Sequence, residues 1–369
     1  MGRFLFGICY RTLVKPVLFL FSPETMHTVF WRIGYVLWSL RLTKRITHLF
    51  FNYTHAWLSQ TVRWYTFPNP VGLAAWFDKD IQLPNIIDAV WFGRTEVGSI
   101  TYKPYTGNPG KRLFRLIKSQ GLLVNYGLKN AWALRAKQRL LHTQCKVPLF
   151  VSIAKTNCIE TCDLQKGIQD YVASLDILTD VAQVQGCVLN ISCPNAFGWE
   201  DYTSPERLHM LLEAVCTGNS PKPYLVKLPI DKTRQEIKLL VEVCIDFGIR
   251  WVIISNLTKQ RATLVDAELI AELPGGVSGK PTQSKSDFLI GEVYKCFWKQ
   301  IVIVGVGWIF CPQDAYHKIR QWASLVQLIT GMIFQWPQLI GEINAWLVIL
   351  MQQDGFTHIS QAIGANFRN

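Results

Sequence analysis

Eight short apolar runs, most of them separated by stretches with helical patterning, constrain this chain more than any other feature. They are Val71–Ala75, Thr95–Ser99, Pro148–Ile153, Val188–Ile191, Tyr224–Leu228, Trp251–Asn256, Ile301–Gly305 and Ser324–Leu328. Most are rich in Val, Ile and Leu and apolar on consecutive residues, as in a strand covered on both faces. Such strands alternating with helices over most of 369 residues predict an α/β fold, a (β/α)₈ TIM barrel. An open doubly wound sheet is the main alternative. No Gly-x-Gly-x-x-Gly follows the first strand, which disfavours a dinucleotide-binding sheet.

The fourth run breaks into Ser192-Cys193-Pro194-Asn195. Polar groups at the C-terminal end of a barrel strand are where such folds keep their chemistry. A thiol between the carboxamides of Asn190 and Asn195 reads as a base or nucleophile beside a hydrogen-bonded substrate. The bland alternative is a buried structural cysteine in a strand-to-loop turn. Ten cysteines occur without CxxC pairs or Cys/His metal spacing, so neither a metal site nor a disulfide framework is indicated. Reduced thiols and an intracellular compartment are expected.

The net charge of +12 is uneven. From Met1 to Phe77 eight bases (Arg3, Arg11, Lys15, Arg32, Arg41, Lys44, Arg45, Arg63) face one acid, Glu24, a net +7. The bases are interleaved with Leu, Phe, Val and Trp. That suits an anionic membrane surface better than nucleic acid, where bases cluster. No run is long enough to span a bilayer. A helix is expected over about Arg3 to Leu20, interrupted near Pro16. A second opens with Ser22 as N-cap, Pro23 at the first helical position and Glu24 in the first turn. The division expected is a helical extension over 1–64 and a barrel over 65–369.

The motifs carry a resemblance over nearly the whole chain. They are Leu18-Phe19-Leu20-Phe21-Ser22-Pro23-Glu24, Phe67-Pro68-Asn69-Pro70-Val71-Gly72-Leu73-Ala74-Ala75 with Phe77-Asp78-Lys79, and Glu96-Val97-Gly98-Ser99. Gly107-Asn108-Pro109 with Arg112-Leu113-Phe114-Arg115, and Asn190-Ile191-Ser192-Cys193-Pro194-Asn195, follow. Gly276-Val277-Ser278-Gly279-Lys280-Pro281, Gly305-Val306-Gly307, and Ser324-Leu325-Val326-Gln327 with Thr330-Gly331 complete the set. In this order the chain resembles dihydroorotate dehydrogenase, in particular its membrane-associated, quinone-using class.

The resemblance implies FMN on the C-terminal face of the barrel and oxidation of dihydroorotate to orotate in pyrimidine synthesis. It also implies a peripheral enzyme on the cytoplasmic face of the cell membrane, with quinone reaching the flavin through the leader. Cys193 occupies the position of the catalytic base. Lys79, Asn125, Tyr126, Gly127, Leu128, Asn190, Asn195, Asn256 and Leu257 occupy substrate positions. Ala75, Lys79, Ser99, Ser152, Asn190, Lys227, Ser255, Gly279, Gly305, Gly307, Trp308, Ile329, Thr330 and Gly331 occupy flavin positions. Gly279 is expected in the loop between strands six and seven. Three departures stand out: Cys193 where the quinone class usually has Ser, Ser152 where the family often has Asn, and Leu257 where Thr is usual. A cysteine base belongs to the soluble classes, so fumarate or NAD is the alternative acceptor.

Tryptophan is the stranger departure. Fourteen residues is roughly three times ordinary usage. Trp76, Trp132, Trp199, Trp308, Trp322 and Trp336 stand clearly where the family pattern has glycine, and Trp64, Trp91, Trp251, Trp298 and Trp346 are weaker cases. Three readings are open. The chain is a decayed enzyme, reduced to a non-catalytic flavin-barrel or membrane-binding protein. Or compensating changes accommodate the rings. Or codons read as glycine in the source, such as UGA, are written here as Trp, which explains substitution in one direction only.

Overall fold

All eight apolar runs become strands of one closed parallel barrel in the computed structural model, which describes residues 7–51, 53–197, 202–218, 220–262 and 264–368. The strands are β1 (Val71–Leu73), β2 (Arg94–Ile100), β3 (Leu149–Ile153), β4 (Gly186–Asn190), β5 (Tyr224–Leu228), β6 (Trp251–Ile254), β7 (Val302–Val306) and β8 (Leu325–Leu328). Each pairs with its sequence neighbours, and β8 closes on β1 through Val326–Val71 and Leu328–Leu73.

Alternation along the strands builds two apolar layers. Phe150, Val188, Leu225, Ile253 and Val304 fill the barrel interior. Their neighbours Val151, Leu189, Val226, Ile254 and Ile303 face the surrounding helices. Full burial of one such side chain stabilises by about 1.5–3 kcal/mol. A hairpin, Gln60–Val62 with Tyr65–Phe67, caps the base and inserts Phe67 into the interior layer. The interior also holds a charged pair. Arg94 Nη2 lies 3.7 Å from Glu96 Oε2, both side chains fully buried, and the Gln327 amide donates to the same carboxylate oxygen at 2.7 Å. The Arg94 guanidinium lies over the Phe150 ring, and burial pulls it down to about 10.

A three-stranded antiparallel sheet roofs one side of the barrel mouth. It joins Leu113–Leu116, Gly121–Val124 and Gly276–Gly279. Gly279 therefore ends a strand and does not sit in a loop, because its segment pairs with Gly121–Val124, far away in sequence.

The leader packs on this roof. Residues Tyr10–Val14 and Lys15–Phe19 form one helical stretch, followed by α1 (Pro23–Ser39) and α2 (Arg41–Phe51); the start of the first expected helix, residues 3–6, lies outside the described residues. Ser22 is the N-cap residue, but its side chain makes no capping bond. Glu24 instead reaches outward, where its carboxylate accepts from the Arg112 backbone N–H at 2.6 Å and from Arg112 Nη2 at 3.2 Å. Arg115 Nη1 donates to the carbonyls of Phe19 and Phe21.

Ten non-glycine residues among those described have positive φ, and six of them are tryptophan. The four others, Arg63, Ile81, Gln120 and Leu128, lie between 49° and 65°. Trp91, Trp336, Trp76, Trp132 and Trp322 run from 68° to 102°, and Trp308 is at 47°. Strained backbone of this kind costs about 1–3 kcal/mol per residue, so six cost roughly 6–18 kcal/mol against a typical total stability of roughly 5–15 kcal/mol.

Candidate active site

The C-terminal ends of the barrel strands surround one cavity, where the barrel grammar places chemistry. At its centre a hydrogen-bond chain crosses five strand ends. The hydroxyls of Ser152, ending β3, and Ser99, ending β2, lie 2.7 Å apart. Asn190, ending β4, donates through Nδ2 to Ser99 Oγ at 2.8 Å. Asn256, just past β6, donates to Asn190 Oδ1 at 3.0 Å and to Ser192 Oγ at 2.9 Å. Ser192 Oγ in turn donates to the backbone carbonyl of Lys227 on β5. The chain fixes both carboxamides, so their orientation toward the cavity is set by partners at each end.

Cys193 lies beyond this chain and lines the cavity with Asn190, Asn195, Asn256 and Leu257. Burial pushes its thiol up to about 11, opposed by a hydrogen bond from the Asn195 backbone and by the charges of Lys227 and Lys259. The thiol is therefore protonated at neutral pH. The Asn195 Oδ1 atom is buried without a partner, as is Ser255 Oγ. Both are acceptors left open at the cavity.

Two lysines face the same space, Lys79 and Lys227, each less than a tenth exposed. Lys79 Nζ sits 4.1 Å from the Trp76 ring centroid and 4.3 Å from that of Tyr126. Burial lowers it to about 7.

The structure brings together most of the residues expected from the sequence. Ala75, Tyr126, Gly127, Leu128, Gly279, Gly307, Trp308, Ile329, Thr330 and Gly331 line the cavity with those above. Gly307 and Gly279 take φ of 113° and 89°. A Cβ on Gly331 would lie 1.8 Å from the Ile309 carbonyl oxygen, so glycine is required there. Two expected cofactor residues fall outside the lining. Ser152 stands one layer back and acts through Ser99. Gly305 turns its open side to Ala323, Ile290 and Lys318, in the helix layer behind β7; a residue mid-strand points away from the mouth whatever its neighbours do. Asn125 lies at an adjoining opening, where its Oδ1 accepts from Asn108 Nδ2 at 2.9 Å.

That opening holds two carboxamides not expected as site residues. Asn108 also donates to the Asn195 carbonyl at 3.1 Å. Asn157 donates to Asn108 Oδ1 and to the Gly127 carbonyl, and accepts from the Phe197 backbone. Asn108 belongs to the Gly107-Asn108-Pro109 motif. Asn157 had no signal except its place shortly after a barrel strand. Trp199, in the loop that follows, lies outside the described residues.

A second, almost wholly apolar cavity of about 200 Å³ lies between the leader and the roof. Phe19, Met26, Phe30, Ile333 and Trp336 line it, with His27 and Arg115 among its few polar groups. Leu122 lines both cavities. The His27 ring packs on Trp76, centroids 5.3 Å apart, and its Nε2 meets the Phe77 carbonyl at 3.1 Å. Burial and the charge of Lys79 push His27 down to about 3, so it is neutral and donates to that carbonyl.

A closed parallel barrel with buried lysines and fixed carboxamides around one cavity at the C-terminal ends of its strands has the architecture of a barrel enzyme. The chain belongs to the dihydroorotate dehydrogenase family, whose profile matches residues 57–351. It is 34% identical over 354 residues to a dihydroorotate dehydrogenase (quinone) of Natronomonas pharaonis, covering 96% of this chain and 98% of that one. It is 33% identical to the protein of that name from Deinococcus deserti, covering 97% and 99%. The structure of dihydroorotate dehydrogenase from Eimeria tenella, solved with ferulenol, superposes with a TM-score of 0.83 at 26% identity, covering 94% of this chain and 96% of that one.

Proposed function

We propose that this chain oxidises (S)-dihydroorotate to orotate in pyrimidine synthesis, with quinone as the final electron acceptor. The observation that carries this is the convergence of Cys193, the Asn190–Asn256 chain and the two buried lysines on one cavity, with the apolar leader cavity sharing a wall.

FMN fits the residues present: Lys79 and Lys227 are buried cations, Ser255 Oγ is an open polar atom, and Gly279 and Gly307 leave backbone uncovered. Bound there, FMN supplies the hydride acceptor. Cys193 takes the proton from substrate carbon 5. Asn125, Asn190, Asn195 and Asn256 match the alternating donors and acceptors of the orotate ring. Lys79 and Lys227 offset negative charge on the cofactor, and Gly279, Gly307, Thr330 and Gly331 hold its phosphate.

The division at 64/65 assigns the membrane-facing helices to residues 1–64 and the catalytic barrel to 65–369, with Gln60–Val62 packed on the barrel base. The division falls in the turn of the capping hairpin. Leu13, Val17 and Leu20, then Val29, Ile33, Val36 and Leu40, then Leu42, Ile46 and Leu49, form exposed apolar stripes. With the basic composition of the leader, these stripes suit insertion into the headgroup region of an anionic leaflet on the cytoplasmic face. Among the described residues no helix is long and apolar enough to cross a membrane.

Flavin absorbance tests the reading. Dihydroorotate should bleach the purified, FMN-loaded protein, and a soluble quinone should restore the colour faster than fumarate or NAD. Retained colour in the presence of dihydroorotate rejects the catalytic assignment. Faster recovery with fumarate rejects quinone.

A further inference from the structure

We propose that Trp76, Trp91, Trp132, Trp308, Trp322 and Trp336 stand at positions where the working protein carries glycine, each codon being read as glycine where the protein is made. Backbone geometry and crowding carry this, together with the one-directional pattern within the first.

The first is backbone geometry. The positive-φ glycines of this chain span 65° to 130°; Trp76, Trp132, Trp322 and Trp336, at 77° to 102°, fall inside that range and beyond the ordinary left-handed region, whereas Trp91 at 68° and Trp308 at 47° do not exceed it. Of the four other positive-φ residues none exceeds 65°, the ordinary left-handed region. Trp132, at φ 101° and ψ 162°, and Trp336, at φ 77° and ψ 161°, occupy a region that is essentially glycine-only. Trp336 also terminates the helix Thr330–Gln335, a position glycine commonly fills.

The second is crowding. A ring carbon of Trp322 lies 1.2 Å from the point where a Cβ on Gly364 would sit. It therefore presses within about one further bond length of the Gly364 Cα, far inside the roughly 3.5–4.0 Å of ordinary carbon contact. The same ring stacks on Tyr294 with centroids only 3.4 Å apart. Trp308 stacks on Phe310 at 3.8 Å. Ring centroids normally lie roughly 4.5–7 Å apart. The Trp76 indole N–H is buried without an acceptor.

The backbone pattern also runs in one direction. Chance replacement would place many residue types at such positions, yet the residues here with φ above 65° are glycine or tryptophan alone among those described.

Glycine at 76 and 308 changes the site. Both rings line the cofactor cavity. Trp76 also packs on His27 of the apolar cavity and covers Lys79 Nζ. Without that ring, Lys79 Nζ is uncovered on that side of the cofactor cavity. This functional consequence rests on the flavin and quinone reading; the residue identities do not.

The test is peptide sequencing by mass spectrometry of the protein isolated from its own cells. Glycine is expected at all six positions, and tryptophan at any of them overturns the proposal. A second measurement compares the full chain as written with a version carrying Trp76→Gly, Trp91→Gly, Trp132→Gly, Trp308→Gly, Trp322→Gly and Trp336→Gly, both made in a host with the standard code. The glycine version should melt at a higher temperature and retain more FMN per chain than the chain as written. A glycine version that melts lower, or binds no more FMN, argues equally against it. Failure of dihydroorotate to bleach a correctly loaded glycine version would count against the catalytic reading alone.

Discussion

Raising the pH should accelerate reduction of this enzyme by dihydroorotate steeply, because the proposed base, Cys193, is a thiol held protonated. Burial puts Cys193 at about 11. Only the thiolate can accept a proton, and below the pKa each pH unit changes its population tenfold. At about pH 7.5 roughly 3 thiols in 10⁴ are ionised, and at about pH 9.5 roughly 3 in 10². The rate of flavin bleaching in anaerobic stopped-flow mixing should therefore rise about 100-fold over those two units, if proton removal limits it. The curve should bend only as it approaches about 11. Cys193→Ser should bleach more slowly at every pH and show no bend in the accessible range, since an alcohol is the weaker acid. Cys193→Ala should lose about 10²–10⁴ of the rate, the usual contribution of a positioned base. A flat profile for the unmodified enzyme, or an unchanged one for Cys193→Ser, would refute the assignment of the base.

Three other perturbations have defined outcomes. Lys79, lowered to about 7 by burial, binds its proton less tightly folded than unfolded, so stability should rise with pH from about 7 to about 10.5; Lys79→Met should flatten that rise in urea titrations and be the more stable protein below about pH 7. Asn190→Ala removes a donor to Ser99 and an acceptor for Asn256; Ser99 keeps Ser152 and Asn256 keeps Ser192 as partners, so each lost bond costs about 1 kcal/mol and the unfolding free energy in urea titrations should fall by about 2 kcal/mol. Glu24→Gln weakens the pairing with Arg112 by about 1 kcal/mol; steady-state kinetics should show a raised KM for quinone with KM for dihydroorotate unchanged.

The barrel was legible because its strands are buried on both faces and announce themselves locally. Tyr224–Leu228 matches its expected limits, and the others differ by a residue or a few at each end. The roof was not legible. Gly276–Gly279 pairs with Gly121–Val124 across more than half the barrel, and nothing in four small and apolar residues names a partner so distant. Cys193, Asn190, Asn195 and Asn256 could be placed because they follow strands, and strand ends converge in a barrel. Gly305 was misplaced for the complementary reason: a residue inside a strand faces the helices or the interior by alternation, and a motif does not show which. Asn157 escaped notice because its role is to hold Asn108 and the Phe197 backbone, contacts made only after folding. Of the interior pair, Glu96 lay within the run Thr95–Ser99 and Arg94 just before it; the Gln327 amide holds the Glu96 carboxylate and the Phe150 ring lies against the Arg94 guanidinium, contacts made only after folding.

The two arginines that tie down the leader have a mechanical consequence. Arg112 directly precedes the first roof strand and Arg115 lies within it. They grip the leader at Glu24, Phe19 and Phe21. The strand paired to theirs carries Leu122 and Val124 over the cofactor cavity. The segment that would rest in lipid and the ceiling of the reaction chamber are thus bolted to one plate. If the leader rests in lipid as proposed, a displacement of the leader is passed to the ceiling through Glu24–Arg112 and the Arg115 bonds.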